Sequence, residues 1–296
     1  MTTPEPEPLY AVCEFTTLNA SFEDDLAAYS AAGAGGIAIC ELKLEEGREE
    51  EQLAAFRASG LTATSCVPAV PSLLPLPKLP GPESPEERVE AIRAGIRRVA
   101  PFEPTALVCL TGPAGDLGED EARKVVVEGL RSVAEEAARH GIPVALEPMS
   151  AHFRDDWTLI TTLQQAADLA DEAGVANVGL VFDTWHLWDT PDLYAELERH
   201  ADRIACVHVN DWREPTRSWC DRVLPGDGVA DLPAMLRALH DSGWRGGYDL
   251  EVFSDDGTFG DAFEDSLWRE DPGDVARRGH EAFRQLWEQA TVGMRA

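Results

Sequence analysis

Basic residues are scarce in this chain, and their scarcity excludes one large class of partner. The sequence has 296 residues, of which 25 are Lys or Arg and 54 are Asp or Glu, so its formal net charge is −29. No basic patch interrupts this acidic composition, and the phosphates of nucleic acids are repelled by such a charge. We therefore expect no nucleic-acid partner.

Long apolar runs are also missing. No stretch approaches the roughly 20 residues that a helix needs to cross a bilayer, so we expect no membrane segment. The start, MTTPEPEPLY, has neither the basic region nor the apolar region of an export signal. We expect a cytoplasmic protein that begins with a short flexible lead-in at residues 1–8.

Cysteine is sparse, and its spacing argues against both disulfides and a cysteine-rich metal site. The chain has six cysteines and no CxxC pair. Five of them lie in apolar, strand-like segments, where cysteine usually behaves as a small buried hydrophobe: Cys13, Cys40, Cys66, Cys109 and Cys206. Reduced thiols agree with a cytoplasmic location.

A repeated unit organises the chain. An apolar-periodic helix ends at a glycine and a β-type run follows, as where EEAARHG precedes IPVALEP. Glycine suits the left-handed position that closes a helix. The pattern predicts eight strands, at residues 9–17, 36–42, 61–68, 104–111, 143–148, 178–183, 203–209 and 247–253. It predicts eight helices, at residues 22–33, 48–59, 84–100, 119–140, 161–173, 192–201, 231–242 and 274–290.

Eight such units predict a (β/α)8 TIM barrel. Strands that alternate with helices form a parallel sheet, and eight units suggest that the sheet closes. A doubly wound open sheet is the alternative, but it would show a glycine-rich phosphate turn after its first strand, and CEFTTLNASF has none. No linker divides the chain, so we expect one barrel domain over residues 1–296.

A proline-rich segment, residues 67–85, follows the third predicted strand. Its sequence is VPAVPSLLPLPKLPGPESP. A barrel places the loop after this strand over its active face, so we expect the segment to form a semi-rigid rim or lid. A plain surface connection is the alternative.

Four consecutive predicted strands end on a residue that can bind a metal. In PVALEP, VGLVFD, IACVHVND and YDLEVF these residues are Glu147, Asp183, His208 and Glu251. Catalytic groups of a TIM barrel come from the C-terminal ends of its strands, and a carboxylate in an apolar strand is costly unless its charge is compensated. A single such acid could form a structural ion pair, but four residues predict a site for one divalent cation. Mn²⁺ fits this set best, followed by Mg²⁺ or Co²⁺, with Zn²⁺ as an alternative.

The loop after the sixth predicted strand adds indole and imidazole groups. The stretch VGLVFDTWHLWD places Trp185, His186 and Trp188 directly after the strand-end acid. Indole faces pack well against the C–H surfaces of sugars and cyclic polyols, so Trp185 is expected to wall a pocket; packing against the next loop is the alternative. His152, in the loop after the fifth strand, could face the same cavity. Histidines near predicted helix ends are expected at the surface: His140, His200 and His240.

These motifs resemble the sugar phosphate isomerase/epimerase superfamily, the xylose-isomerase-like TIM barrels. The resemblance covers nearly the whole chain and is most specific in ALEPMS, VFDTWHLWD, CVHVNDW, LPGDGVADL and DLEVFSDDGTFG. It implies that the four strand-end residues hold the metal and that Glu147 and Glu251 also act as acid and base. It further implies that His186 contacts a substrate oxygen, that Arg213 or Arg217 binds substrate, and that the protein is a homodimer or homotetramer.

Proton transfer next to a carbonyl is the chemistry expected of this site. The metal would polarise the carbonyl of a ketose or keto-polyol, a glutamate would remove the adjacent proton, and the metal would hold the enediolate. The predicted function is therefore an isomerase or epimerase of a sugar or cyclic polyol. A dehydratase, or a lyase that cleaves 3-keto glycosides, would use the same site.

Two alternative hypotheses assign the chain to other functional classes. A nuclease of the endonuclease IV type shares the fold, but its additional histidines on strands three and four have no counterpart in SCVPAV and LVCLTG. A non-catalytic sugar-binding or partner subunit would not need an intact set of metal ligands.

Overall fold

Eight parallel strands close into a barrel. The structure is a computed structural model that describes residues 8–291. Its barrel strands are β1 (Leu9–Cys13), β2 (Gly36–Cys40), β3 (Thr62–Val67), β4 (Leu107–Cys109), β5 (Val144–Leu146), β6 (Val178–Asp183), β7 (Ile204–Val209) and β8 (Gly247–Leu250). Each strand pairs with its neighbours in the sequence of strands, and β1 pairs with β8 to complete the ring.

One main helix follows each strand, which confirms the predicted (β/α)8 TIM barrel. The helices are α1 (Phe22–Ala31), α2 (Glu49–Ser59), α3 (Pro85–Val99), α4 (Glu119–Arg139), α5 (Leu163–Ala173), α6 (Leu193–His200), α7 (Leu232–Asp241) and α8 (Pro272–Thr291). Their ends lie within two residues of the predicted ones. Two single helical turns that the pattern did not predict, Arg154–Trp157 and Thr184–Leu187, follow β5 and β6.

Local sequence explains where the helices begin and end. The side chains of Ser84, Thr162 and Asp231 each accept a hydrogen bond from a backbone amide of the first turn of α3, α5 and α7, which is how an N-cap satisfies an otherwise unpaired donor. Helices α2 and α5 end at Gly60 and Gly174, whose φ angles are +74° and +67°. Glycine adopts this left-handed conformation without a steric cost.

The alternation of side chains along β6 separates two apolar layers. Leu180 and Phe182 pack between the barrel and the surrounding helices, whereas Val181 belongs to the cluster inside the barrel. Asp183 lies on the same face as Val181, because successive side chains of a strand point to opposite faces. The other strand-end residues follow the same rule, each two residues beyond a buried one: Glu147 after Ala145, His208 after Cys206 and Glu251 after Asp249.

The strand register aligns the inward-facing side chains. Asp183 of β6 is the register partner of His208 of β7. His208 is in turn the register partner of Asp249 of β8, so Glu251 lies one pleat further toward the C-terminal end of the barrel. The site residues are therefore brought together by pairing of neighbouring strands, without any long loop.

Two histidines predicted at the surface are buried. His200 and His240 are 6% and 7% exposed. His200 Nε2 lies 3.1 Å from Gln164 Oε1, and the His240 ring packs edge-on against Trp287. The surface prediction is wrong for both, because α5 and α8 cover these helix ends, whereas His140 is exposed.

The remaining general predictions concern the termini, the cysteines and the membrane. The predicted lead-in at residues 1–8 lies outside the described residues except for Pro8. All six cysteines are buried and none forms a disulfide. None of the described helices combines the length and the apolar composition that a membrane crossing requires.

Candidate active site

Four side chains from consecutive strands meet at the C-terminal mouth of the barrel. Glu147 follows the last residue of β5, Asp183 ends β6, His208 lies in β7 and Glu251 follows β8. Each offers one ligand atom, and these four atoms all lie within 4.8 Å of one another. All four residues are buried. The structure thus brings the predicted ligand set together at one point.

His208 lies at the centre of this acidic group. Its Nδ1 is 3.3 Å from Glu147 Oε1, 3.3 Å from Glu251 Oε2 and 3.7 Å from Asp183 Oδ2. The other oxygen of Asp183 accepts hydrogen bonds from the backbone amides of Trp185 and His186, at 2.7 and 3.4 Å. Asp183 therefore caps a helical turn with one oxygen and presents the second oxygen to the group.

The donor set fits a divalent cation. Three carboxylates buried at one point repel each other unless positive charge compensates them. Glu147 Oε1 and His208 Nδ1 are buried atoms that have no hydrogen-bond partner in the described part of the chain. Each can therefore offer a lone pair to a cation. Carboxylate oxygens with one imidazole are a ligand set that Mn²⁺, Co²⁺ and Zn²⁺ accept and Mg²⁺ tolerates.

A second candidate group shares His208 with the first. Ligand atoms of Cys206, His208 and Asp249 also lie within 4.8 Å of one another. Burial raises the pKa of the Cys206 thiol to about 11, and Asp249 Oδ2 accepts a 2.7 Å hydrogen bond from Ser65. A neutral thiol and an already bonded carboxylate make a poorer cation site, so this group is better described as the layer that supports His208.

Arg222, which was not among the predicted site residues, contacts the acidic group. Arg222 is buried and lies in a two-stranded ribbon formed by Asp211–Trp212 and Arg222–Val223, after β7. Its Nη1 donates to Asp183 Oδ2 at 3.0 Å and to Glu251 Oε2 at 2.8 Å. One positive charge thus offsets part of the charge of three carboxylates.

Aromatic rings hold this guanidinium in place. The central carbon of Arg222 lies 4.9 Å from the ring centroid of Trp185 and 4.6 Å from that of Phe253, distances at which a cation is attracted to a ring face. The only sequence signal for Arg222 is its position before an apolar pair in CDRVLPG. That signal is too weak to predict a role for Arg222.

Burial and the neighbouring charges shift the pKa values of the three carboxylates in different directions. Burial raises the pKa of Glu147 to about 7. Burial acts in the same direction on Glu251, but His208 and Arg222 lower the pKa of Glu251 below its usual range. Burial also opposes ionisation of Asp183, whereas His186, Arg222 and His208 together lower the pKa of Asp183. The two glutamates therefore differ, because the arginine contacts only one of them.

His186 is buried beside the acidic group as a neutral ring. Burial lowers the pKa of His186 to about 4. Its Nδ1 accepts a 3.1 Å hydrogen bond from the backbone amide of Ser150. Nε2 lies 3.2 Å from Arg222 Nη2, which can only donate, and 3.7 Å from Asp183 Oδ2. The ring is thus held at the edge of the site, beside the guanidinium and the Asp183 carboxylate.

The cavity above the acidic group contains two of the predicted substrate contacts. Trp185 and His186 both line it, together with Glu147, Arg222 and Glu251. The proline-rich segment contributes Val67, Pro68, Ala69, Pro71, Leu79 and Pro80 to the same cavity. This segment therefore forms part of the wall, in the position expected of a rim.

The structure does not bring Arg213 or Arg217 to this cavity, and Arg222 is the arginine found there. Arg213 donates to Asp221 and Asp265, both at 3.0 Å. Arg217 donates to the same two carboxylates. These acids hold both guanidinium groups in a partly exposed ion-pair cluster, so neither predicted arginine lines the cavity.

His152 also lies outside the residues that line the cavity. Its Nε2 is 2.7 Å from Asp189 Oδ2, and the side chains of both residues are substantially exposed, at 48% and 36%. Its ring packs against Trp212, with centroids 5.0 Å apart. The contact with Asp189 lies outside the cavity lining, so the structure does not place His152 at the acidic group.

Comparison with known proteins shows to which family the chain belongs. The sequence matches the family described as xylose isomerase-like TIM barrel over residues 26–286. The chain belongs to this family. An inosose isomerase of Bacillus velezensis is 30% identical over 139 residues, which span 46% of this chain and 48% of that protein. A 3-dehydroshikimate dehydratase of Pseudomonas aeruginosa is 31% identical over 161 residues, which span 50% of this chain and 23% of that protein.

The chain thus spans half or less of the length of these curated relatives. Both are named as enzymes, one an isomerase and the other a dehydratase. A solved structure of a Sinorhizobium meliloti protein has a TM-score of 0.81 and 26% identity, and the match covers 94% of this chain and 98% of that one. The structure of IolI with a bound zinc atom has a TM-score of 0.77 and 18% identity, with 95% and 98% of the two chains covered. The likeness to both extends over the whole barrel.

Proposed function

We propose that this member of the family is a divalent-metal-dependent isomerase or epimerase of a keto-sugar or keto-polyol. The observation that carries the proposal is the pair Glu147 and Glu251, two buried glutamates on strands three places apart in the ring that both approach His208 Nδ1 to 3.3 Å. Two carboxylates on different sides of one bound substrate can remove a proton and return it. Names of the curated relatives support this class of chemistry.

Glu147, Asp183, His208 and Glu251 would hold the cation, for which we propose Mn²⁺. When bound, the cation would polarise the substrate carbonyl and lower the pKa of the adjacent C–H. Glu147 or Glu251 would then take the proton from that carbon, and the other glutamate would supply a proton to the enediolate. Asp183 and His208 serve as ligands only, since Asp183 is also committed to its helix cap.

Two further groups would bind the substrate. The imidazole of His186 and the guanidinium of Arg222 are polar groups fixed beside the carboxylates. Preorganised donors stabilise negative charge that develops on an oxygen in the transition state. Trp185 would cover the part of the cavity beside Arg222 and exclude water from it, because Trp185 is 1% exposed and its ring lies against the guanidinium.

The place where the proton returns decides the reaction. Return to the opposite face of the same carbon is an epimerisation, and return to the neighbouring carbon is an isomerisation. Loss of a β-hydroxyl instead would be a dehydration, which remains the second candidate because one curated relative is named as a dehydratase. All three reactions begin with the same proton abstraction.

Solvent exchange at that carbon tests the proposal without requiring that the product be known. Mn²⁺-loaded protein would be incubated in D₂O with D-fructose or 2-keto-myo-inositol, and deuterium uptake next to the carbonyl followed by NMR. We expect uptake with wild type and a loss of about 10²- to 10⁴-fold in Glu147→Gln and in Glu251→Gln, because each removes a proton-transfer group.

Glu136→Gln is the matched control, because Glu136 is a buried glutamate on α4, away from the cavity. It should exchange at the wild-type rate. Wild-type exchange in both site variants, or no exchange by metal-loaded wild type, would contradict the proposal.

A further inference from the structure

The cavity above the acidic group has two chemically different ends. It is lined by 22 residues, of which five have charged or hydroxyl side chains or an imidazole. Glu147 and Glu251 belong to the acidic group, His186 and Arg222 contact it, and Ser150 donates to His186. The other lining residues are apolar or aromatic. Polar recognition is thus confined to one end.

Aromatic rings form one apolar wall. Trp219 is at its centre, with its ring centroid 4.7 Å from Trp157, 5.2 Å from Phe259 and 6.0 Å from Phe253. Phe253 also stacks on Phe15 at 4.8 Å. Trp219, Phe253 and Phe259 are only half-buried, so apolar ring surface faces the cavity. Apolar surface of this kind is favourably covered by an apolar partner.

The proline-rich segment forms the second wall. It follows β3, which lies opposite β7 in the eight-stranded ring, whereas Trp219 comes from the loop after β7. Arg88 of α3 fixes this wall: its Nε donates to the carbonyl of Ser72 at 2.8 Å and its Nη1 to that of Pro82 at 2.9 Å. The slot between the two walls is therefore bounded by rigid groups.

A free sugar would use only the polar end of this cavity. Each carbon of a sugar carries an oxygen, and a hydroxyl that leaves water without finding a new hydrogen-bond partner is destabilising. The apolar part offers such a hydroxyl few partners, because its lining consists of apolar and aromatic side chains. An apolar substituent therefore suits this part of the cavity better than a further chain of hydroxyls.

We infer that the substrate is a keto-sugar or keto-polyol that carries a flat aromatic substituent. This inference rests on the proposed function, because it places the carbonyl at Glu147 and Glu251. The aromatic substituent lies between the aromatic wall and the proline-rich segment. The polar end sets where the proton is removed, and the apolar end selects which molecules are held there.

Two glycosides with the same reacting carbonyl provide the test. Methyl and phenyl 3-keto-β-D-glucopyranoside differ only in the substituent. For Mn²⁺-loaded wild type we expect the phenyl compound to bind about 10- to 100-fold more tightly by calorimetry, and to show a similar ratio in kcat/KM for solvent deuterium exchange, as burial of one phenyl ring implies. Equal dissociation constants would overturn the inference.

Variants of the aromatic wall test whether it causes the preference for the phenyl glycoside. Phe259→Ala and Trp219→Leu should reduce the phenyl-to-methyl ratio of dissociation constants to below about 5, because each removes ring surface from the slot. Tyr194→Ala is the matched control, since Tyr194 is an aromatic residue that is 46% exposed and lies outside the cavity. A ratio that is unchanged in both wall variants would overturn the inference.

The two proposals fail in different ways. Tighter binding of the phenyl compound without exchange of either glycoside would contradict the proposed function and leave the aromatic preference standing. Exchange of both glycosides at equal kcat/KM and with equal affinity would support the proposed function and reject the aromatic preference.

Discussion

Arg222 and His186 show how much of the site depends on groups beyond the proposed ligands. The arginine contacts two of the three carboxylates, and the imidazole contacts the arginine. Both are 5% exposed or less. We propose that the imidazole and the guanidinium contact a substrate oxygen, and that a cation supplies the remaining positive charge that the carboxylates require.

His186→Asn tests this role. We expect the variant to retain its cation and its melting temperature, because His186 lies beyond the four proposed ligands. Turnover should fall by about 10²- to 10³-fold, since one preorganised polar contact to a developing charge is lost. Exchange kinetics, metal content and thermal unfolding would be measured together.

His140→Asn serves as the control, because His140 is exposed at the end of α4. Unchanged turnover in His186→Asn would give the imidazole a purely structural role. Loss of the cation would make His186 a ligand and would change the proposed site.

The four residues of the acidic group were predictable from the sequence, whereas Arg222 was not. Glu147 and Asp183 each interrupt an apolar run at its end, so single positions stand out against their neighbours. Arg222 reaches Asp183 across 39 residues, and only the tertiary structure reveals this contact. The prediction of Arg213 and Arg217 depends on their distance from His208 in the sequence. That distance does not reveal that Asp221 and Asp265 bind both side chains.

Helices and strands followed the sequence because their signals are local. Glycine-terminated helices and capping residues such as Ser84 fixed the helix ends, and the apolar runs located all eight barrel strands. All of the strands except β6 are shorter than predicted; for example, β4 comprises Leu107–Cys109. The turn Thr184–Leu187 and the two-residue ribbon strands are too short to leave a periodic pattern.

The proline-rich segment depends on one buried side chain of a neighbouring helix. Arg88 is 1% exposed, and in addition to its two carbonyl contacts it donates from Nη2 to Ser72 Oγ at 2.7 Å. Arg88→Lys should lower the free energy of unfolding by about 2–3 kcal/mol, because a lysine cannot satisfy three acceptors in this fork geometry. It should also accelerate proteolysis within residues 67–85. Denaturant unfolding and mass spectrometry of limited digests would measure both effects.

Arg93→Lys on the same helix is the comparison. Arg93 forms partly exposed ion pairs with Glu90 and Glu136, and such pairs contribute roughly 0–1 kcal/mol. Equal destabilisation by the two substitutions, or cleavage sites elsewhere in the chain, would show that Arg88 does not fix the segment.

For the protein as a whole, the barrel and its charge have separate consequences. Closure of the sheet brings four inward-facing residues at the C-terminal ends of β5 to β8 to one point, which is why fold and site could be predicted together. The net charge of the chain is −29. The site itself would not share this excess of negative charge, because a guanidinium and a cation would compensate its carboxylates. The net charge is a property of the outer surface and disfavours anionic macromolecules as partners.

The central claim is that four strand-end side chains hold one divalent cation, and its stoichiometry is the most direct test. Wild type, Asp183→Ala, His208→Ala and the control His140→Ala would be loaded with Mn²⁺, freed of excess metal and analysed for metal per chain. We predict about one cation per chain in wild type and His140→Ala, and less than about a tenth of that in the two site variants, because each loses a ligand from a four-ligand set. Equal metal content in all four proteins would contradict the account.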